Sequence, residues 1–202
     1  MNTQSRSAIR KQVRKVRQQL TLSQRQQTSQ NICNNLSNSK LFRNSKRVAG
    51  FLANDGEPSL DPLMALAWSQ GKQWHLPIIG LPNINRLWFA PYNQGDTLTL
   101  NRYGIAEPDI HLHQTPKPWG LELILMPLVA FDTSGNRLGM GKGYYDRTLN
   151  FLRHRHHWHK PRLVGIAYEF QKFEHLPLQP WDIPLDAIVT EKAVYNITQL
   201  KL

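Results

Sequence analysis

Residues 127–149 read PLVAFDTSGNRLGMGKGYYDRTL. An apolar strand runs into Phe131, a polar turn with Gly135 follows, and Arg137 comes next. Three glycines, Gly139, Gly141 and Gly143, then alternate with other residues before a helix opens at Tyr144, Tyr145 and Asp146. Glycines this dense are costly to order, and they suit a backbone that approaches a ligand closely or takes positive φ. Exposed N–H groups leading into a helix start form a phosphate cradle, and Arg137 and Lys142 add charge to it. The spacing is neither G-x-x-x-x-G-K-[ST] nor G-x-G-x-x-G, so a plain surface turn stays open on spacing alone. Asp146 either favours the helix end electrostatically or holds a magnesium ion.

Outward from this stretch, strands and helices alternate. LELILMP (121–127) is the most apolar strand, and RVAGFL (47–52), QWHLPII (73–79), RLWFAPY (86–92), RLVGIAY (162–168) and LDAIVT (185–190) read as others. PSLDPLMALAWSQ (58–70) reads as a helix with Pro58 in its first turn, Leu60, Leu63, Met64 and Ala67 on one face, and Gly71 as its stop. YYDRTLNFLR (144–153) reads as another. The expected fold is α/β: one three-layer α/β/α domain over residues 1–202, with a mixed, mostly parallel sheet and a basic helical segment, 1–45, packed on the body. In such sheets ligands bind at the carboxyl ends of the strands.

Composition narrows the function. A chain of 202 residues, 40% hydrophobic, can build a real core. No apolar run approaches the roughly 18 residues of a membrane span, and the lack of targeting signals gives a cytoplasmic expectation. The single cysteine, Cys33, excludes a disulfide framework and a cysteine zinc site, and reads as structural. The net charge of +11 lies entirely before Asp55, the first acid: residues 1–54 carry 11 basic side chains, and the remainder is neutral. A positive end suggests a polyanionic partner. On the first helix, Ile9, Val13, Val16 and Leu20 form an apolar stripe beside a basic one of Arg6, Arg10, Arg14 and Arg17. The basic stripe is either a solvated face or, at Arg6 and Arg10, a grip on a phosphate chain. A transit peptide is disfavoured, because the pattern runs on into a second helix, Leu22 to Leu36.

GNRLGMGKGYYDR, preceded by PLVAFD, resembles the signature of 5-formyltetrahydrofolate cyclo-ligases, also called 5,10-methenyltetrahydrofolate synthetases. The resemblance extends to AIRKQVRKVR, FLANDGE, YGIAEP and LPLQPWDIPLDAIVT, in order along nearly the whole chain. It implies conversion of 5-formyltetrahydrofolate and ATP to 5,10-methenyltetrahydrofolate, ADP and phosphate, with Mg2+ as cofactor and ATP as co-substrate. It places ATP on Arg6, Arg10 and the loop Arg137, Leu138, Gly139, Met140, Gly141, Lys142, Gly143, Tyr144 and Tyr145. It places the folate on Phe51, Leu52, Glu57 and the Met140–Tyr144 part of that loop, the metal on Asp146 and Asp182, and catalysis on Arg137, Tyr144 and Asp146. Arg6 stands where the family commonly has Lys, Met140 where some members carry Arg, and Lys142 where others have Gly. Backbone is therefore expected to matter more than side chains at 140 and 142. Without the resemblance, Glu57 reads as a helix cap, Asp182 as a turn residue and Tyr144 as a core or helix-start aromatic.

Two other features read as bystanders. His154, His156, His157 and His159 could reach a transition metal, but no acid or cysteine sits among them, and a solvated helix end or loop suits them better. Trp88, Phe89, Tyr92 and Tyr103 suit core and pocket wall better than a base-stacking platform. A monomer acting on small molecules, with no nucleic acid and no membrane, is the expectation. The rivals are a nucleic-acid module built on the basic end and a different ATP-using enzyme on a similar scaffold.

Overall fold

The computed structural model describes residues 4–80, 84–110, 115–154 and 160–197. In chain order the helices are α1 (Arg6–Gln19), α2 (Leu22–Ser37), α3 (Lys40–Arg43), α4 (Asp61–Ser69) and α5 (Tyr144–Leu149). The strands are β1 (Arg47–Ala49), β2 (Gln73–Ile79), β3 (Leu87–Pro91), β4 (Leu98–Leu100), β5 (Ala106–Pro108), β6 (Leu123–Pro127), β7 (Ala130–Phe131), β8 (Arg137–Leu138), β9 (Arg162–Ile166), β10 (Ala187–Val189) and β11 (Val194–Asn196). The central sheet has the order β11-β10-β9-β6-β1-β2-β3. Its five inner strands are parallel, and β11 and β3 close the edges antiparallel. This is an α/β fold with a mixed, mostly parallel sheet, as expected.

β6 shows why the sheet is covered on both faces. Leu123, Ile124, Leu125 and Met126 are all fully buried, the continuous apolar run that an inner parallel strand requires. Leu123 and Leu125 pack with Ile32, Leu36, Phe42, Leu63 and Ala67 of α2, α3 and α4. Ile124 and Met126 face the other way, against Leu149 of α5, Phe131, Ile183 and Leu185. One face thus carries a helical layer, while the other is covered by one short helix and extended segments.

Several boundaries differ from the sequence reading. The helix expected over 58–70 begins at Asp61, with Pro62 rather than Pro58 in its first turn. Ser59 Oγ accepts from the Asp61 amide just ahead of it. β1 stops at Ala49. Gly50 donates one last bond to the His75 carbonyl, and Phe51 and Leu52 then leave the ladder. The strand expected to reach Phe131 ends at Pro127; Ala130 and Phe131 pair instead with β8 in a separate hairpin. The helix over 144–153 tightens into a 3-10 turn from Asn150. β9 and β10 are shorter than the runs read for them.

α1 and α2 are separate helices, with Thr21 as the N-cap of a capping box closed by Gln24. α1 buries Ile9, Val13 and Arg17, whereas Val16 is 38% exposed. Arg17 therefore occupies the inward position that the apolar stripe assigned to Val16. Ile9 and Val13 pack on Val129, Ala130, Leu138 and Leu176, which fixes the helix against the β7–β8 hairpin.

Candidate active site

The sheet changes direction between β1 and β6: the chain proceeds from β1 to β2 on one side, then returns to β6 on the other. A crevice opens at the carboxyl ends of strands flanking such a switch. A cavity of about 650 Å³ lies there. Phe51, Leu52 and Glu57 follow β1, Pro77 and Ile79 end β2, and Pro127 and Leu128 end β6; all of them line it.

α1 and the glycine loop form the opposite wall. Arg10 Nε donates to the Gly139 carbonyl at 2.8 Å. One turn earlier, Arg6 grips Asp182 with both terminal nitrogens, at 2.7 and 3.3 Å. Asp182 is a turn residue as well, for its Oδ2 also accepts from the Gln179 amide at 2.9 Å. Burial lowers the Arg10 pKa, Arg6 lowers it further, and Asp182 opposes both. An anion between the two arginines would relieve that repulsion.

Arg137, almost fully buried, reaches Asp146 Oδ1 with Nη2 at 2.5 Å, and its Nε has no partner among the described residues. The Ile183 amide donates to the same Asp146 oxygen at 3.2 Å, which brings the 146 and 182 segments side by side despite their distance in sequence. Among the described residues no donor reaches Asp146 Oδ2. Two hard carboxylates at one cavity fit the one or two acids that magnesium takes beside phosphate and water. Among the described residues no cluster of three or more metal-ligating side chains occurs.

Tyr144 and Tyr145 open α5 behind Gly143. The Tyr144 hydroxyl meets the Tyr103 hydroxyl and the Arg102 guanidinium, each at 3.0 Å, so the 101–106 loop forms a third wall. Tyr145 lies deeper; burial raises its hydroxyl pKa, and the Glu57 charge adds to that. Lys142 stands on the rim, its ammonium 6.0 Å from the centre of the Tyr103 ring.

Glu57 is not a helix cap: α4 starts four residues later and has no side-chain cap. Its Oε2 accepts from the Asn54 amide at 3.2 Å. Burial pushes its pKa up to about 7, against the pull of the nearby Arg17 guanidinium.

The structure thus brings Arg6, Arg10, Phe51, Leu52, Glu57, Arg137, the 139–146 loop and Asp182 around one cavity. Leu138 is the exception, a core residue packed against Ile9 and Val13. The histidine-rich stretch lies largely outside the described residues. Sequence reasoning missed the Arg17–Asp55 pair behind Glu57 and the Trp181 side chain on the rim. The Asp55–Gly56 dipeptide, a turn signal, was the one clue to the former.

Fold and cavity together define an α/β enzyme with a cationic clamp facing a mostly apolar pocket with a buried acid. The family model described as "5-formyltetrahydrofolate cyclo-ligase family" matches residues 2–191. The 5-formyltetrahydrofolate cyclo-ligase of Haemophilus influenzae is 37% identical, covering 92% of this chain and 97% of its own. That of Escherichia coli K12 is also 37% identical, covering 91% and 99%. The solved structure of Aquifex aeolicus 5,10-methenyltetrahydrofolate synthetase superposes with a TM-score of 0.81 at 35% identity, covering 98% of this chain and 95% of that one. This chain belongs to the 5-formyltetrahydrofolate cyclo-ligase family, ATP-dependent ligases of folate one-carbon metabolism.

Proposed function

We propose that this cavity closes the folate ring in two chemical stages, with the triphosphate between α1 and the glycine loop and the pterin against Phe51, Leu52 and Glu57. The observation that carries the reading is the contact of Arg10 with the Gly139 carbonyl, beside the Arg6–Asp182 pair. It turns the basic helix inward over the loop, which a solvated face or a nucleic-acid surface would not require.

A formamide is a poor electrophile, because its oxygen leaves badly. The formyl oxygen attacks the γ-phosphorus of ATP, and the bond to ADP breaks. The phosphorylated oxygen is then a good leaving group on an iminium-like carbon. N10 attacks that carbon, the carbon–oxygen bond breaks, and phosphate departs with the proton that N10 gives up. The protein's part is positioning and charge neutralisation. Arg6, Arg10 and Arg137 supply fixed positive charge, and the backbone amides of the 139–143 loop supply donors. The Glu57 carboxylate accepts hydrogen bonds from the amino-pyrimidinone edge of the pterin, while Phe51 and Leu52 cover its ring face. Tyr144, steadied by Tyr103 and Arg102, orients the substrate across the cavity. Asp146 and Asp182 would hold magnesium, which neutralises phosphate oxygens when bound. No protein nucleophile is needed, and Cys33 is buried against α4 away from the cavity, its thiol pKa raised to about 11.

The chain is read as one folding unit, since α1 shares a core with the β7–β8 hairpin, and as a monomer. Arg6, Arg10, Arg17 and Arg25 are engaged internally, which supports small-molecule rather than nucleic-acid partners. Among the described residues no helix is long and apolar enough to cross a membrane. Dependence on ATP supports a cytoplasmic setting. The test is methenyltetrahydrofolate absorbance from purified protein, 5-formyltetrahydrofolate, ATP and magnesium chloride. Product is expected only with all components present; product without ATP refutes the scheme. Full activity in Asp146→Ala refutes the metal assignment.

A further inference from the structure

We propose that Arg17 is a positioning residue for folate binding, its buried guanidinium holding the Glu57 carboxylate aimed into the cavity. The proposal rests on the reading that Glu57 contacts the pterin.

Arg17 lies on α1 seven residues beyond Arg10, about two helical turns along. It is fully buried, yet only Nη2 has a close partner, Asp55 Oδ2 at 2.6 Å. Nε and Nη1 have no hydrogen-bond acceptor among the described residues. A buried guanidinium with idle N–H groups is a costly arrangement. Asp55 does not account for it, because Arg14 Nε at 2.7 Å and Gln18 Nε2 at 3.1 Å already serve that carboxylate. The remaining acid within reach is Glu57, whose Oε1 stands 3.9 Å from Arg17 Nη1. That distance is too long for a hydrogen bond and short enough for an ion pair, so a small shift on ligand binding would close it.

The charges around Glu57 make Arg17 the deciding one. Arg17 faces it from α1, Asp55 from its own loop and Tyr145 from α5, and the Asn54 amide bonds its Oε2. Tyr168, bonded to the Gly56 carbonyl, faces Arg17 and Arg25 from the segment that follows β9. Burial favours the neutral acid and Asp55 adds to that, whereas Arg17 and, after it, the Asn54 amide oppose both. Near neutral pH the ionised form, which accepts the pterin donors, therefore depends on Arg17. The helix that bears the nucleotide arginines thus also sets the folate-binding acid.

The experiment is steady-state kinetics from pH 6 to 9 on the wild type, Arg17→Met, Arg17→Lys, Glu57→Gln and the Arg17→Met/Glu57→Gln double variant. Glu57→Gln should raise KM for 5-formyltetrahydrofolate about tenfold or more and abolish its acid limb. Arg17→Met should raise the same KM comparably at pH 7 and leave KM for ATP within about twofold. Its acid limb should move to higher pH, since the acid loses its counter-charge. Arg17→Lys should restore part of the loss, and the double variant should be no worse than Glu57→Gln. If Arg17→Met does not fold, Asp55→Asn serves instead and should move the limb the other way, to lower pH. A damaged Glu57→Gln beside an unmoved folate KM and limb in Arg17→Met, or an unmoved limb in Asp55→Asn, overturns the proposal. A normal folate KM in Glu57→Gln overturns the reading of Glu57 itself.

Discussion

The glycine loop contains a contrast that an alanine scan resolves. Gly141 has φ +99° and Gly143 φ +65°, both in a region where an L side chain is strained, whereas Gly139 is not there. A Cβ on Gly141 would also touch the Arg10 guanidinium at 3.4 Å, an ordinary contact. On Gly139 it would meet only Arg137 Nη1, at 3.6 Å. Backbone strain is therefore the dominant cost at Gly141, about 1–2 kcal/mol for a side chain forced to positive φ. The loop is exposed and will relax, so the cost should fall on the bound geometry rather than on global stability. At 1.36 kcal/mol per tenfold, that is a loss of roughly 5- to 30-fold in kcat/KM for ATP. Gly139→Ala should stay within about threefold of wild type by the same reasoning. The assay is product absorbance at saturating folate with varied ATP, alongside melting temperatures for both variants. Equal damage in Gly139→Ala and Gly141→Ala would refute the argument, because the glycines would then serve close ligand approach at every position rather than positive φ at particular ones.

Three further outcomes follow from the packing and charge. Three side chains hold the Asp55 carboxyl at a pKa of about 2, below its unfolded value. Its contribution is therefore present above pH 4 and lost as pH falls toward 2, so acid melts of Asp55→Asn should be flatter than wild type over that window. A Cβ on Gly50 would lie 2.1 Å from the ring of Trp74, a bulky side chain only 2% exposed, so ring or backbone must shift. Gly50→Ala should cost about 1–3 kcal/mol and lower the melting temperature by roughly 2–12 °C in differential scanning calorimetry. Cys33, with its thiol pKa raised to about 11, should resist iodoacetamide at pH 8 while native and react once unfolded in urea. Rapid native labelling would contradict its burial.

The sequence announced the glycine loop and the arginine pair because both are local: spacing within one turn of helix or loop places them together. The inner strands were legible for the same reason, an apolar run such as LILMP having one physical home. What stayed hidden depends on distant partners. Val16 and Arg17 sit beside each other on α1, and periodicity favoured the apolar one. The inward turn of Arg17 is settled by Asp55, 38 residues away. β4 and β5 carry no alternation long enough to read, since each has three residues and is defined only by its partner. Asp146 and Asp182 meet through one backbone contact at Ile183, which no local pattern encodes. Sequence also could not show that Leu138, inside the loop signature, turns away into the core.

The composition of α1 fits this arrangement. The helix has no acid of its own, and Arg6, Arg10, Arg14 and Arg17 repel one another along one side. An isolated helix of this kind would gain nothing from internal ion pairs. In the fold, Asp182 answers Arg6, the Gly139 carbonyl answers Arg10, and Asp55 answers both Arg14 and Arg17. The helix is thus held by acids and carbonyls of the body rather than by its own side chains. The match is incomplete, and part of the shortfall lies beside the cavity. The lowered pKa of Arg10, the idle N–H groups of Arg17 and the unpaired Nε of Arg137 border one cavity or the acid behind it. Arg25 Nε on α2 is also without a partner among the described residues, although Arg25 does not line the cavity. The excess charge of the first quarter of the sequence is thus largely answered by acids and carbonyls of the body, and at Arg17 it is answered only in part.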